Sequence, residues 1–426
     1  LSDAINEANE AQQIGWYNLY NEQLEYWHKF WDKNDIVIEG DDEAQQSIRF
    51  NIFQILQNYP SDHQRLNIGA KGFSGEKYGG NTQWNTELCV LPFLLLYTNK
   101  GYARDLLLYR YYQLPQAIDN AEKLGFKDGA ALYPMVTMNG EERHNEWEVT
   151  FEEIHRNAII IKVIQEYTEC TNDTEYIAKY GLEVMIAICR FWNQRVTFST
   201  RKQQYMILGV TGPDEYENNV DNNWYTNYSC VQNLKFTIEN LRMVEQNYHD
   251  DYKQIVEKTK FNAQETEHWR DIIERMHYPY DKENEIFMEE NGYMDKELLT
   301  VNDINPEERP IWQHWSWDRI LRSCFIKQSD VLLGMYLYYN DFDKDTIRRN
   351  YHFYEPRTVH ESSLSYFVHS ILAAHIGEID KAYNYFVKAN RLDLDDINND
   401  VCDGIHVTSM PGSWLAIAEG FAGIHF

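Results

Sequence analysis

TELCVLPFLLLYTNKGYARDLLLYRYY, residues 86–112, decides the fold. Apolar residues recur at helical spacing on both sides of Asn99-Lys100-Gly101. The pattern predicts helices over 83–98 and 101–123, joined by a turn that leaves them antiparallel neighbours. The same reading extends outward to helices at 11–31, 42–58, 149–168, 173–194, 221–247, 249–275, 326–340, 342–351, 362–375, 378–389 and 410–424. Strand-like alternation is confined to Val196-Thr197-Phe198 and to 205–209. Tight connections at 99–101, 169–172, 249–250, 340–341 and 377–378 alternate with long ones at 59–82, 124–148, 195–220, 276–325, 352–361 and 390–409. In a ring of helix hairpins, that alternation places every long segment at one end, where loops of such length are usually functional. The expected fold is therefore all-α: an (α/α)6 barrel over 41–426, preceded by a helical linker over 1–40.

Composition narrows the partners. The net charge of −28 repels nucleic acid and anionic membranes, so neither is expected, and an anionic substrate needs a local basic or amide-rich pocket. Aromatic residues are 15% of the chain, enough to wall a sugar site as well as a core. No apolar run reaches the roughly 18 residues of a membrane span, and no signal peptide is visible. Cys89, Cys170, Cys189, Cys230, Cys324 and Cys402 are scattered without a CxxC, which suits buried thiols in a reducing, cytoplasmic setting. The first residue is Leu1 rather than Met, which suggests a chain truncated at its N-terminus.

The long segments carry the polar chemistry. They include 69–87 (GAKGFSGEKYGGNTQWNTE), 133–148 (YPMVTMNGEERHNEWE), 209–224 (GVTGPDEYENNVDNNW), 358–365 (TVHESSLS) and 391–414. Pooled on one face, their amides, hydroxyls and aromatic rings suit a neutral, hydroxyl-rich ligand. Asp214 and Glu215, beside the Gly212-Pro213 turn, are candidate proton donors for glycosyl transfer. His360, Ser362 and Ser363 stand just before a predicted helix, either as an anion cradle or with Ser362 or Ser363 as a plain N-cap. No metal site is expected: His144-Asn145-Glu146 is too sparse, and 396–400 lacks the Gly and Glu of a calcium loop. No nucleotide fingerprint follows a strand.

Six motifs together resemble glycoside hydrolase family 65: GVTGPDEYENN, YPMVTMNGEERHNEWE, FEEIHRNA, IKQSDVL, YEPRTVHESSLS and DGIHVTSMPGSW. Within that family they look most like the maltose phosphorylases. The resemblance spans essentially the whole chain and implies the barrel named above, flanked in family members by further β-domains. It implies that Glu215 is the single general acid and that inorganic phosphate, a substrate and not a cofactor, attacks the anomeric carbon with inversion. His360, Ser362, Ser363, Thr408 and Ser409 would hold the phosphate. Trp84, Asn85, Lys327 and Gln328 would hold the transferred glucose. The segment from His144 to Glu148, including Glu146, would shape the acceptor-sugar site. A cytoplasmic enzyme, and a homodimer as in relatives, are implied in the same way. Three departures stand out: Asn85 where the family has Asp, Ser365-Tyr366-Phe367 where a small, often Pro-containing, turn is usual, and Pro411 in place of a small residue. A phosphorylase or hydrolase of another α-glucobiose (trehalose, kojibiose, nigerose) and a noncatalytic sugar-binding descendant stay open.

Overall fold

The computed structural model describes residues 2–59, 64–143 and 148–425, and the chain divides into two compact units, Leu1–Phe50 and Asn51–Phe426. The first holds the helices Ser2–Ile14 and Trp16–Asn34. The single helix expected over 11–31 is thus two. Gly15 parts them at φ 80°, a backbone conformation that costs a residue without Cβ little. Neither helix buries a residue, and Trp16 stacks on Tyr20 with ring centroids 5.2 Å apart.

The second unit is mostly helical. Successive helices pack in pairs: Leu91–Tyr97 on Lys100–Tyr112, Leu182–Arg195 on Trp224–Asn247, and Ser365–Ile376 on Ile379–Arg391. The late helix Pro411–Leu415 lies against Leu91–Tyr97. The Asn51 amide reaches the Asn390 carbonyl at 3.0 Å and the Ser413 hydroxyl at 3.1 Å. Trp192, Trp224 and Trp269 are fully buried among the helices.

Differences from the expected elements have local causes. The helix read over 101–123 breaks into Lys100–Tyr112 and Leu114–Lys123. Pro115 has no N–H to return to the preceding turn, so it opens the second helix. The helix read over 249–275 is His249–Thr259 and Glu265–Arg275, parted after Lys260 enters the left-handed region at φ 54°. The helix read from 326 begins at Asp330, because the Ser329 hydroxyl caps it, accepting the Leu332 N–H at 3.2 Å. Two short helices, Ile311–His314 and Trp317–Arg322, lie inside the long segment 276–325.

The strand-like stretches pair antiparallel, Thr197–Ser199 with Gln204–Met206. A second pair, Tyr280–Asp281 with Ile286–Phe287, is too short to show a period in sequence. All six cysteines are free; Cys402 is exposed and Cys170 partly so, while the other four are buried. Among the described residues no helix is long and apolar enough to cross a membrane.

Candidate active site

The loop carrying Glu215 is held from below by side chains. Asp330 accepts the Asp214 N–H at 2.8 Å with one oxygen and the Asn223 amide at 2.6 Å with the other. A Cβ at Gly212 would sit 1.8 Å from that second oxygen, so only glycine lets the turn approach. Asp214 turns inward: it is 1% exposed, and its Oδ1 accepts the N–H groups of Lys327 at 2.8 Å and Tyr216 at 3.2 Å. Glu215 points the other way and lines a cavity of about 680 Å³. Two adjacent carboxyls in one motif therefore have different surroundings, one tying the backbone and one facing the cavity.

All six long segments contribute to that cavity. Lys71 and Tyr78 come from the first, Met135 and Val136 from the second, and Pro213 and Glu215 from the third. Trp312 and Trp317 come from the fourth, Glu361 from the fifth, and His406, Thr408 and Ser409 from the sixth. Backbone bonds tie the loops in pairs. Thr82 and Thr137 exchange N–H···O bonds of 2.8 and 3.0 Å, and Ile326 accepts the Val359 N–H at 2.9 Å.

Most of the site residues named above meet here. Trp84, Asn85, Glu215, Lys327, Gln328, Ser362, Ser363, Thr408 and Ser409 all line the cavity. The Lys327 ammonium lies 2.5 Å from Glu215 Oε2. Burial works against the Lys327 charge, but the Glu215 carboxylate outweighs it and holds the ammonium above its usual range. Gln328 bridges two loops, donating to the Pro213 carbonyl at 2.6 Å and accepting the Ser362 hydroxyl at 2.6 Å. The Ser363 and Ser409 hydroxyls are 2.8 Å apart. Neither Ser362 nor Ser363 caps the following helix, which starts at Ser365 with Leu364 in the cap position. His144 and Glu146 lie outside the described residues. His360 is not among the lining residues. It is buried behind them, its Nδ1 2.8 Å from the Ser365 hydroxyl and its ring stacked on Tyr366 at 4.8 Å. Burial pushes it well below the usual histidine range, so the imidazole is neutral. Glu361 accepts the Tyr216 hydroxyl at 2.5 Å and the Ile311 N–H at 2.7 Å, which clamps three loops together.

Other lining residues were not singled out from the sequence. His406 bonds Asp393 at 2.8 Å and lies 3.2 Å from Asp400; although burial opposes its charge, these carboxylates raise its pKa above the usual value. Lys71 donates to the Gly404 carbonyl at 2.8 Å. Lys71, Lys77, Lys327 and His406 bring positive charge to a wall that also carries the acids Glu153, Glu215, Glu361, Asp400 and Asp403. Membership of FEEIHRNA and DGIHVTSM was the available signal for Glu153, His155 and His406, but nothing in their spacing distinguishes a lining residue from a core one.

Beneath the Glu215 loop lies a buried acidic cluster. Burial raises Asp214 and Glu290 to about 7. It carries Glu217, Glu289 and Asp330 well above the ordinary carboxyl range. Lys296 pairs with Glu217 and lies 3.6 Å from Glu290. Glu289 caps the helix beginning at Asp330, accepting the Ser329 hydroxyl and the N–H groups of Asp330 and Val331 at 2.6, 3.0 and 3.1 Å. Folded-state pKa values above the unfolded ones mean that the native state binds more protons. Their stabilising contribution is complete below the unfolded carboxyl range and is lost as pH rises through about 7. The thermal midpoint is therefore expected to fall steadily from pH 5 to pH 8. A midpoint that is flat or rising across that window, read by circular dichroism, would contradict the buried cluster.

A mostly helical unit whose long loops converge on one polar, aromatic cavity, with an acid, lysines and clustered hydroxyls, has the features of a carbohydrate-active catalytic domain. The chain belongs to glycosyl hydrolase family 65: residues 49–415 match the family's central catalytic domain. It is 49% identical over 426 residues to the maltose phosphorylase of Bacillus subtilis (strain 168), covering 100% of this chain and 55% of that protein. It is 39% identical over 422 residues to the α,α-trehalose phosphorylase of Thermoanaerobacter brockii, covering 99% of this chain and 54% of that protein. With the kojibiose phosphorylase of Halothermothrix orenii the identity is 34% over 439 residues, covering 100% of this chain and 56% of that protein. The chain thus spans about half the length of these curated relatives. A solved structure described as a putative kojibiose phosphorylase from human microbiome superposes with a TM-score of 0.91 at 36% identity, covering 100% of this chain and 62% of that one.

Proposed function

We propose that this chain carries the catalytic centre of an inverting disaccharide phosphorylase, which converts maltose and inorganic phosphate to β-glucose 1-phosphate and glucose. One observation carries the reading. A single cavity presents the Glu215 carboxyl, the Lys327 ammonium and the hydroxyls of Ser362, Ser363, Thr408 and Ser409. Glu215 protonates the departing glycosidic oxygen. Phosphate, already anionic, attacks the anomeric carbon without a general base, held by the hydroxyls and by neighbouring positive charge. Glu361, the carboxyl nearest those serines in sequence, is engaged by Tyr216 and Ile311, which leaves it poorly placed to activate water as a hydrolase requires. His360 supports this site from behind, by ordering Ser365 and Tyr366. His144 and Glu146 shape the acceptor-sugar end. The helix pairs close into a six-hairpin ring over 41–426, after a helical linker over 1–40. Maltose is preferred as substrate because the maltose phosphorylase relative shares more identity than the trehalose and kojibiose phosphorylases do.

The test is glucose 1-phosphate formation from maltose, trehalose, kojibiose and nigerose, with and without phosphate. Phosphate-dependent product from maltose is the expected result. Glucose release that ignores phosphate would make the protein a hydrolase and overturn the reading.

Asn85 favours a second reading, a sugar-binding descendant, because an amide stands on the cavity wall where the family resemblance implies an acidic acceptor. A carboxylate at this position accepts hydroxyl bonds with charge assistance, worth about 1–2 kcal/mol more than an amide. Asn85→Asp should therefore lower the KM for the disaccharide about tenfold. An unchanged KM would show that Asn85 already serves as well as an acid.

A further inference from the structure

The FEEIHRNA motif, residues 151–158, is only partly explained by the reaction above. Glu152 braces the Glu215 loop, accepting the Thr211 hydroxyl at 2.8 Å and the Asn219 N–H at 3.0 Å. Arg156 donates to the carbonyls of Tyr133 at 2.6 Å and Glu153 at 2.8 Å. Asn157 accepts the Tyr133 N–H at 2.9 Å. These are structural ties. Glu153 is different. It lies on the cavity wall, is 1% exposed, and its Oε2 has no hydrogen-bond partner. Beside it on the wall, the His155 ring meets the Trp84 ring edge-on at 4.9 Å, and burial holds that histidine down at about 3, hence neutral.

We infer that Glu153 is a sugar-binding residue of this cavity, a neutral carboxylic acid that donates its proton in a hydrogen bond to a hydroxyl of the bound glucosyl ring. The inference rests on the proposed carbohydrate function and adds a contact to it. Polar side chains inside proteins are nearly always hydrogen-bonded, and an unpartnered buried one facing a ligand cavity is a group that a ligand can satisfy. A neutral carboxyl supplies one donor and spare acceptor capacity, which matches a sugar hydroxyl that must both give and receive. The surroundings keep it protonated. Burial, and then the Glu215 charge, raise it to about 8, against the opposing pull of Arg156 and Lys327; Glu142 adds a further negative charge. His155, next to it in the motif, is neutral and adds no charge. The proton is therefore present at neutral pH and is lost as pH rises through about 8, which leaves a carboxylate that accepts but cannot donate.

The experiment measures glucose and maltose binding to the whole natural protein by quenching of tryptophan fluorescence, with Trp84, Trp312 and Trp317 on the cavity wall as reporters. Titrations run from pH 6 to pH 9.5 on wild type, Glu153→Gln and Glu153→Leu. Gln keeps a neutral donor and acceptor, whereas Leu keeps bulk without either. Wild-type Kd should rise several-fold above pH 8, Glu153→Gln should bind with a flat profile, and Glu153→Leu should bind about tenfold more weakly at every pH. In a Glu215→Gln background, which removes the neighbouring charge, the Glu153-dependent rise should move to lower pH. A merely structural Glu153 would leave wild type and Glu153→Gln with the same profile, or Glu153→Leu, still folded by circular dichroism, with wild-type affinity. Either result overturns the inference. The phosphorolysis assay reads the proposed function separately. PH-dependent binding that Glu153→Gln flattens, without turnover, would retain the Glu153 site and reject the phosphorylase. Turnover with identical pH profiles would do the reverse.

Discussion

Glu215→Gln is expected to lower phosphorolysis of maltose by about 10²–10⁴-fold, the usual worth of one positioned proton donor. The amide has the size of the carboxyl and can still meet Lys327, which lies 2.5 Å away, so the cavity wall keeps its shape. What is lost is a proton for the glycosidic oxygen. Asp214 cannot substitute, because its Oδ1 is engaged by two backbone N–H groups and its side chain is buried under the loop. The defect should depend on the leaving group. With α-glucosyl fluoride, whose leaving group needs little protonation, Glu215→Gln should retain most of the wild-type rate of phosphate-dependent turnover. Loss on maltose together with retention on the fluoride assigns the acid. Equal loss on both substrates would mean that Glu215 binds or orders the site without delivering a proton, and near-wild-type turnover of maltose would remove it from the chemistry.

Arg110→Ala carries the largest expected cost to stability. Arg110 donates to both oxygens of Glu87, at 2.6 and 2.9 Å, and the two side chains are 3% and 2% exposed. Removing one member of such a buried pair strands the other charge away from water, at a cost of about 3–5 kcal/mol. The pair also bears on the site. Glu87 lies in the π-helical turn Thr86–Val90, directly after the Trp84-Asn85 stretch of the cavity wall. Urea unfolding should show the loss in the midpoint, and the KM for the sugar should rise as Trp84 loosens. The double replacement Arg110→Met with Glu87→Met should recover most of the stability, since two apolar side chains leave no stranded charge. A single mutant that costs under about 1 kcal/mol would show that water reaches the pair.

The two variants probe different layers of one arrangement. Glu215 acts at the surface of the cavity, whereas Arg110, Asp330 and Glu289 act one layer below, where carboxylates cap a helix, hold a turn and lock a wall. Some of the acidic residues counted in the formal charge of −28 are therefore internal. Its buried members favour the folded state at mildly acidic pH, while the cavity keeps its own lysines.

Much of the helical pattern was legible because helical period and turn chemistry depend on neighbours a few residues apart. Apolar spacing around Asn99-Lys100-Gly101 is enough to predict a helix pair, and the Gly212-Pro213 turn already marks a loop with an acid beside it. The failures were local too: Gly15, Pro115 and Lys260 each interrupt a run whose periodicity continues beyond them. The motifs likewise carried the family, and with it a list of candidate side chains. Which of those side chains share a space was decided by contacts between distant parts of the chain. Lys327 meets Glu215 across 112 residues, Ser363 meets Ser409 across 46, and Asp330 holds the Asp214 N–H across 116. Sequence alone could not assign Glu153 to the cavity wall or place His360 behind it. A buried polar group and a ligand-facing one have the same letter, and only the packing of the other loops around them separates the two.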